Sequence, residues 1–86
     1  MRYEIIFCVP QKLSGEATYM AKKLHTSCIP YQFERPYNFY AQQFIFPDIE
    51  SLNQFLKSAK EKFGGKFIVE SIENITYKYN VKKDGV

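Results

Sequence analysis

Two segments with helical spacing of apolar residues constrain what this 86-residue chain can fold into. The second segment has a strong apolar stripe, made of Ile49, Leu52, Phe55, Leu56, Ala59 and Phe63. Asp48 before the stripe and Gly64-Gly65 after it are typical of a helix start and a helix end. In the first segment, apolar residues recur at helical spacing up to Cys28, which predicts a helix over about 14–27 with Ser14 as its N-cap.

The remaining segments are rich in β-branched and aromatic residues, which favour strands. The four predicted strands cover residues 3–9, 31–35, 39–46 and 66–71. Pro30 and Pro36 flank the second strand, and a proline cannot donate to a sheet ladder, so we expect this strand at an edge. We expect Glu73-Asn74 to bulge or kink the fourth strand. Residues 75–81 then continue it or form a short fifth strand, and residues 82–86 form a frayed end.

The order of these elements is β-α-β-β-α-β, which predicts an α+β domain. With right-handed crossovers, it gives the ferredoxin-like split βαβ fold: a four-stranded antiparallel sheet in the order 4-1-3-2, with two helices on one face. A chain of this length holds one domain. We expect the second helix to bury its stripe against Phe7 and Phe44.

The side chains that most often perform catalysis or bind metals are scarce. His25 is the single histidine, and Cys8 and Cys28 are two distant cysteines that make a poor zinc site with it. No phosphate-binding glycine motif is present. We therefore predict a non-enzymatic protein without a metal or cofactor. The chain shows no cleavable leader and no apolar stretch near the about 20 residues that span a bilayer, which favours the cytoplasm.

A mild excess of cations favours an anionic partner, since 12 Lys and Arg face 9 Asp and Glu. The predicted topology gathers Lys62 and several other basic residues at one end of the fold, and Arg2 with further lysines at the other end. We expect RNA to contact these cations and to stack on tyrosine. The candidate nucleic-acid-binding residues are Lys12, Lys22, Lys23, Arg35, Tyr37, Lys66, Lys78, Lys82 and Lys83. A standard RNA recognition motif is not expected, because Gln43 falls where its main stacking ring belongs.

The sheet face without helices favours an alternative function, protein–protein interaction. It is predicted to show an apolar patch, which we call the outer patch, formed by Ile6, Cys8, Phe39, Ala41 and Ile45. Monomers seldom expose large apolar patches, so something should cover this one. A second copy of the chain would do so in a homodimer. A heterologous protein partner, or residues 75–81 folding back, are the other possible covers. In this alternative, the chain is a protein-interaction or inhibitor module without nucleic acid.

In size, mild basicity and compact pattern, the chain resembles small phage-encoded proteins that inhibit bacterial defence systems. One class of these proteins binds RNA and restrains an RNase toxin. The resemblance therefore implies an antitoxin-like homodimer that binds RNA and a host toxin protein together.

Overall fold

The computed structural model describes residues 2–24 and 27–76, with the backbone alone over 27–31. Its elements follow the predicted β-α-β-β-α-β order. They are β1 (Tyr3–Pro10), a 3-10 turn (Gln11–Leu13), α1 (Ser14–Lys22), β2 (Ser27–Arg35), a second 3-10 turn (Pro36–Asn38), β3 (Phe39–Phe46), α2 (Ile49–Phe63) and β4 (Ile68–Asn74).

The strands form one antiparallel sheet in the order β2-β3-β1-β4. Read from the opposite edge, this is the order 4-1-3-2 that the sequence predicts. The strand β2, which contains Pro30 and precedes Pro36, lies at an edge as expected. The architecture is α+β and is consistent with a ferredoxin-like arrangement.

Aromatic side chains fill the core between the sheet and the helices. Phe55 of α2 is fully buried, and its ring lies 4.9 Å from that of Phe7 and 5.5 Å from that of Phe44, between centroids. Ala17 and Ala21 of α1 join the same cluster. Both helices thus pack on one sheet face, where alternate residues of β1 and β3 meet the apolar stripe of α2. The predicted packing of α2 is confirmed.

Both predicted ends of α2 are confirmed. The Asp48 carboxylate accepts a hydrogen bond from the Ser51 backbone N–H at 2.7 Å, and this bond lowers the pKa of Asp48. At the other end, Gly64 has a φ of +62°, and its N–H donates to the Lys60 carbonyl at 2.9 Å. Glycine adopts this left-handed conformation without a steric penalty, so α2 ends there.

The predicted start of α1 near residue 14 is confirmed, whereas its N-cap and its end are wrong. Ser14 is its first helical residue rather than its N-cap, and the Ser14 Oγ donates to the Gln11 carbonyl of the preceding 3-10 turn at 2.7 Å. The helix ends at Lys22, and β2 begins at Ser27. Cys28 pairs with Phe44 in the sheet. The backbone pairing of β2 with β3 therefore outweighs the helical spacing of apolar residues up to Cys28. His25 lies outside the described residues.

The fourth strand also differs from the prediction. It begins at Ile68 rather than at residue 66, and it continues to Asn74. Its bulge lies at Glu70 rather than at Glu73-Asn74, because Phe7 pairs with Val69 while Ile6 pairs with Ser71.

The strand does not continue past Asn74 in the described residues. The Thr76 N–H donates to the Asn74 Oδ1 at 3.0 Å, which makes a turn there. Residues 77–86 lie outside the described residues. They include most of segment 75–81, which is predicted to continue the fourth strand or to form a fifth strand, and the predicted frayed end at 82–86. Neither described helix is long and apolar enough to cross a membrane.

Candidate functional site

Three connections meet at one end of the sheet: residues 10–13, 36–38 and 64–67. We call these connections, together with Arg35 at the end of β2, the tip. The register places them together, because Pro10 pairs with Phe39, Phe39 pairs with Arg35, and Ile68 pairs with Cys8 near the same end. The tip includes four of the candidate nucleic-acid-binding residues, namely Lys12, Arg35, Tyr37 and Lys66. The sequence predicts that these residues share one end of the fold with Lys62, and Lys62 indeed lies in the last turn of α2, directly before residues 64–67.

Tyr37 projects from the turn between β2 and β3. Its side chain is 92% exposed, and its backbone is left-handed, with φ 63° and ψ 31°. Asn38 follows with a φ of 62°. A left-handed conformation is uncommon for a bulky residue, whereas asparagine tolerates it more readily. The three-residue connection from Arg35 to Phe39 therefore holds an aromatic ring outward in an unfavourable backbone conformation.

A concavity of about 750 Å³ opens beside this ring. Its lining comes from the first 3-10 turn and from the β2–β3 turn, and comprises Pro10, Gln11, Lys12, Tyr37, Asn38 and Tyr40. Lys12 is exposed and supplies a positive charge, while Tyr37 supplies an aromatic face. This combination can contact a phosphate and stack on a base at the same place.

Arg35 lies at the tip as predicted, but its charge is already paired. Its Nε donates to Glu70 Oε2 at 2.9 Å and its Nη2 donates to Glu70 Oε1 at 3.0 Å. Arg35 lowers the pKa of Glu70, mainly through this hydrogen bonding. Sequence reasoning missed Glu70, although it lies two residues after Ile68 and strand alternation places both on the outer face.

Cys8 lies beneath this ion pair. It is a free, buried thiol that lines a smaller cavity of about 290 Å³ together with Arg35 and Glu70. Burial raises the pKa of Cys8, and the neighbouring Glu70 carboxylate raises it further. The thiol is therefore neutral near pH 7 and is a poor nucleophile.

The other candidate cations lie away from the tip. Lys22 and Lys23 are exposed at the end of α1, and the Lys23 Nζ lies 4.5 Å from the centroid of the Tyr19 ring. By contrast, Lys62 lies in the last turn of α2, directly before the tip, and forms an ion pair with Glu16. The remaining three candidates, Lys78, Lys82 and Lys83, lie outside the described residues.

The charge of the described residues is close to balanced. Three of the twelve cations and one of the nine anions fall in residues 77–86. Most of the formal charge of +3 thus comes from that segment. The tip therefore has few cations of its own.

The outer patch is less exposed than the sequence predicted. Cys8, Ala41 and Ile45 are buried within the single chain, and Ile6 and Phe39 are half-buried. The prediction that the outer face shows all five residues is wrong for the three buried ones. Cys8 lies beneath the Arg35–Glu70 ion pair, and the short side chain of Ala41 lies between those of Phe33 and Cys8.

An apolar row nevertheless crosses the outer face through all four strands. Phe33 pairs with Ala41, Ala41 with Cys8, and Cys8 with Ile68. The two outermost side chains are the exposed ones, at 43% for Phe33 and 56% for Ile68. Sequence reasoning left both out of the outer patch, although the alternation of β2 already placed Phe33 on one face.

The part of the chain that the structure describes contains no cluster of three His, Cys, Asp or Glu side chains able to hold a metal ion. In comparisons with known proteins, neither a family model nor a curated protein matches the chain.

Proposed function

We propose that this chain is a ferredoxin-like, non-enzymatic protein that binds RNA at its tip. The observation that carries the proposal is a concavity that Lys12 and Tyr37 line together. Proteins that bind single strands combine cations that follow the phosphates with aromatic rings that stack on bases. Lys66, in the α2–β4 connection at the same end, adds a second exposed cation.

The basic residues near the C-terminus support the same proposal. The last ten residues contain three cations, Lys78, Lys82 and Lys83, and one anion, Asp84. Such a segment attracts nucleic acid electrostatically without reading its sequence. By its resemblance to phage-encoded inhibitors, the chain would use RNA binding to restrain an RNase toxin or another host defence protein.

The apolar row on the outer face favours a second candidate function, protein–protein interaction. Phe33 and Ile68 expose apolar surface at the two ends of the row, and burial of such surface drives association. A second copy of the chain is the partner we propose, with two-fold symmetry bringing the same residues together. A toxin or other host protein is the alternative occupant.

Purification separates the two functions. We expect co-purifying RNA, seen as a raised ratio of absorbance at 260 to 280 nm that falls after a high-salt wash. A mobility assay with Lys12→Glu then tests the tip, and Lys57→Glu on the exposed side of α2 is the control of equal charge. Loss of RNA retention in the Lys12 variant alone supports the proposal. A protein that neither carries nor retains RNA would leave protein–protein interaction as the function.

A further inference from the structure

We infer that the tip binds an unpaired nucleotide of single-stranded RNA, with its base on the Tyr37 ring and its phosphate on Lys12. This inference rests on the proposed function and adds the form of RNA that the site accepts. It follows from the exposure of Tyr37, from its backbone conformation and from the scarcity of free charge around it.

The exposure of Tyr37 determines what the ring can touch. At 92% exposed, nearly the whole ring is accessible to solvent, and it borders a concavity whose volume lies in the usual range of ligand sites, about 300–1,000 Å³. Inside a duplex, both faces of every base are covered by stacked neighbours. The ring can therefore stack on a base only where the RNA is unpaired, as in a loop, a bulge or a single strand.

The backbone of the turn fixes the point from which the Tyr37 side chain projects before RNA arrives. Tyr37 and Asn38 are both left-handed, and the pairing of Arg35 with Phe39 closes the turn on either side. The preceding Pro36 has a fixed φ, which further restricts the chain. A turn whose backbone is fixed in advance loses less conformational freedom on binding, which favours affinity. Unfavourable backbone conformations of this kind occur most often at functional sites.

Tyr19 shows why exposure alone is not sufficient. Its side chain is 58% exposed, but the Lys23 Nζ already lies over its ring, 4.5 Å from the centroid. A base would have to displace this cation–π contact. The residue thus provides a matched control, an exposed tyrosine beside a lysine on a different part of the surface.

The charge around the tip also disfavours a duplex. Proteins that bind duplexes without reading bases rely on many phosphate contacts. Here Arg35 is paired with Glu70, so the tip offers Lys12 and Lys66 as its exposed cations among the described residues. Two phosphate contacts give weak binding by themselves, and stacking on Tyr37 has to supply a large share of the affinity.

Fluorescence anisotropy tests the inference with a labelled RNA of mixed sequence, used either single-stranded or annealed to its complement. The full chain should bind the single strand at least about tenfold more tightly. Tyr37→Leu should weaken that binding by about tenfold or more, since stacking on one aromatic ring contributes roughly that much. Tyr37→Phe should retain it, and Tyr19→Leu should stay within about twofold of the unchanged protein.

The outcomes separate the inference from the function beneath it. Equal binding of the two RNA forms, or unchanged binding by Tyr37→Leu, overturns the inference. If binding is still lost on Lys12→Glu in that case, the proposed function stands. Absence of binding to either RNA overturns both. Because Tyr37 is almost fully exposed, its variants should fold, which circular dichroism confirms before binding is measured.

Discussion

Arg35 of β2 and Glu70 of β4 join the two edge strands of the sheet through a bidentate ion pair, at 2.9 and 3.0 Å. The pair crosses the outer face above β3 and β1, the strands that lie between them. It closes over Cys8 and neutralises a cation that would otherwise be available at the tip. The first two predictions follow from this arrangement.

Removing the Glu70 charge should strengthen RNA binding. In Glu70→Gln the guanidinium of Arg35 loses its ionic partner, so its charge becomes available to phosphate next to Tyr37. We expect severalfold tighter binding at low salt, with the gain shrinking as salt screens it. Glu50→Gln, in the first turn of α2, removes the same charge elsewhere and serves as the control. Equal affinities for the two variants would show that Arg35 does not contact RNA.

Cys8 should make the free energy of unfolding fall as the pH rises through the alkaline range. Its pKa is raised above the ordinary value of 9.0, so the folded protein holds the thiol proton more tightly than the unfolded chain. The resulting stabilisation is present below the unfolded pKa and is lost as the pH rises through the folded pKa. Urea unfolding from pH 8 to 11 should therefore show a steeper decline for the unchanged protein than for Cys8→Ala. Parallel profiles would mean that the thiol titrates normally.

The core should depend on Phe55. Phe55→Ala removes a fully buried ring that contacts three other phenylalanine rings, and it should cost about 3–5 kcal/mol. That loss is a large fraction of the stability of a small domain. Ile49→Ala, on the same helix but 43% exposed, should cost far less. Thermal unfolding followed by circular dichroism compares the two, and similar midpoints would mean that the core is assigned wrongly.

RNA binding should be electrostatic and only weakly selective for sequence. Each lysine that contacts a phosphate contributes about 0.7 to the slope of log affinity against log salt for a single strand. Charge reversal at Lys22-Lys23 and at Lys82-Lys83 should each weaken binding and reduce this slope. A mobility assay over a salt series gives both quantities. If neither double change alters RNA retention, the cations away from the tip do not take part.

The apolar row should support a homodimer. Light scattering at micromolar concentration should give about twice the chain mass of 10.2 kDa. Phe33→Glu and Ile68→Glu should each dissociate the dimer, because both side chains are exposed at the ends of the row. Ile45→Glu is a poorer test, since Ile45 is buried and a charge there would destabilise the fold itself. A dimer that survives both changes would place the interface elsewhere, and a mass near 10.2 kDa would exclude it.

Local signals in the sequence predicted α2 and the core, because Asp48, Gly64 and an unbroken apolar stripe all agree. They failed for α1, where residues 27 and 28 gain backbone pairing with β3 that no local pattern reveals. The convergence of Lys12 and Tyr37 followed from topology alone. The ion pair of Glu70 with Arg35 could not be predicted, because the two residues lie on opposite edge strands and no local pattern links them.

That bulge adjusts the alternation of β4. Val69 and Ile72 are three residues apart, so in an uninterrupted strand they would point to opposite faces. With Glu70 as the extra residue, Val69 lies opposite Phe7 and Ile72 opposite Ile5, on the face that carries the helices. Glu70 is thus the one position in β4 whose deletion leaves the partners of every other residue unchanged. The chain could lose this residue, and with it the ion pair with Arg35, and still form the same sheet.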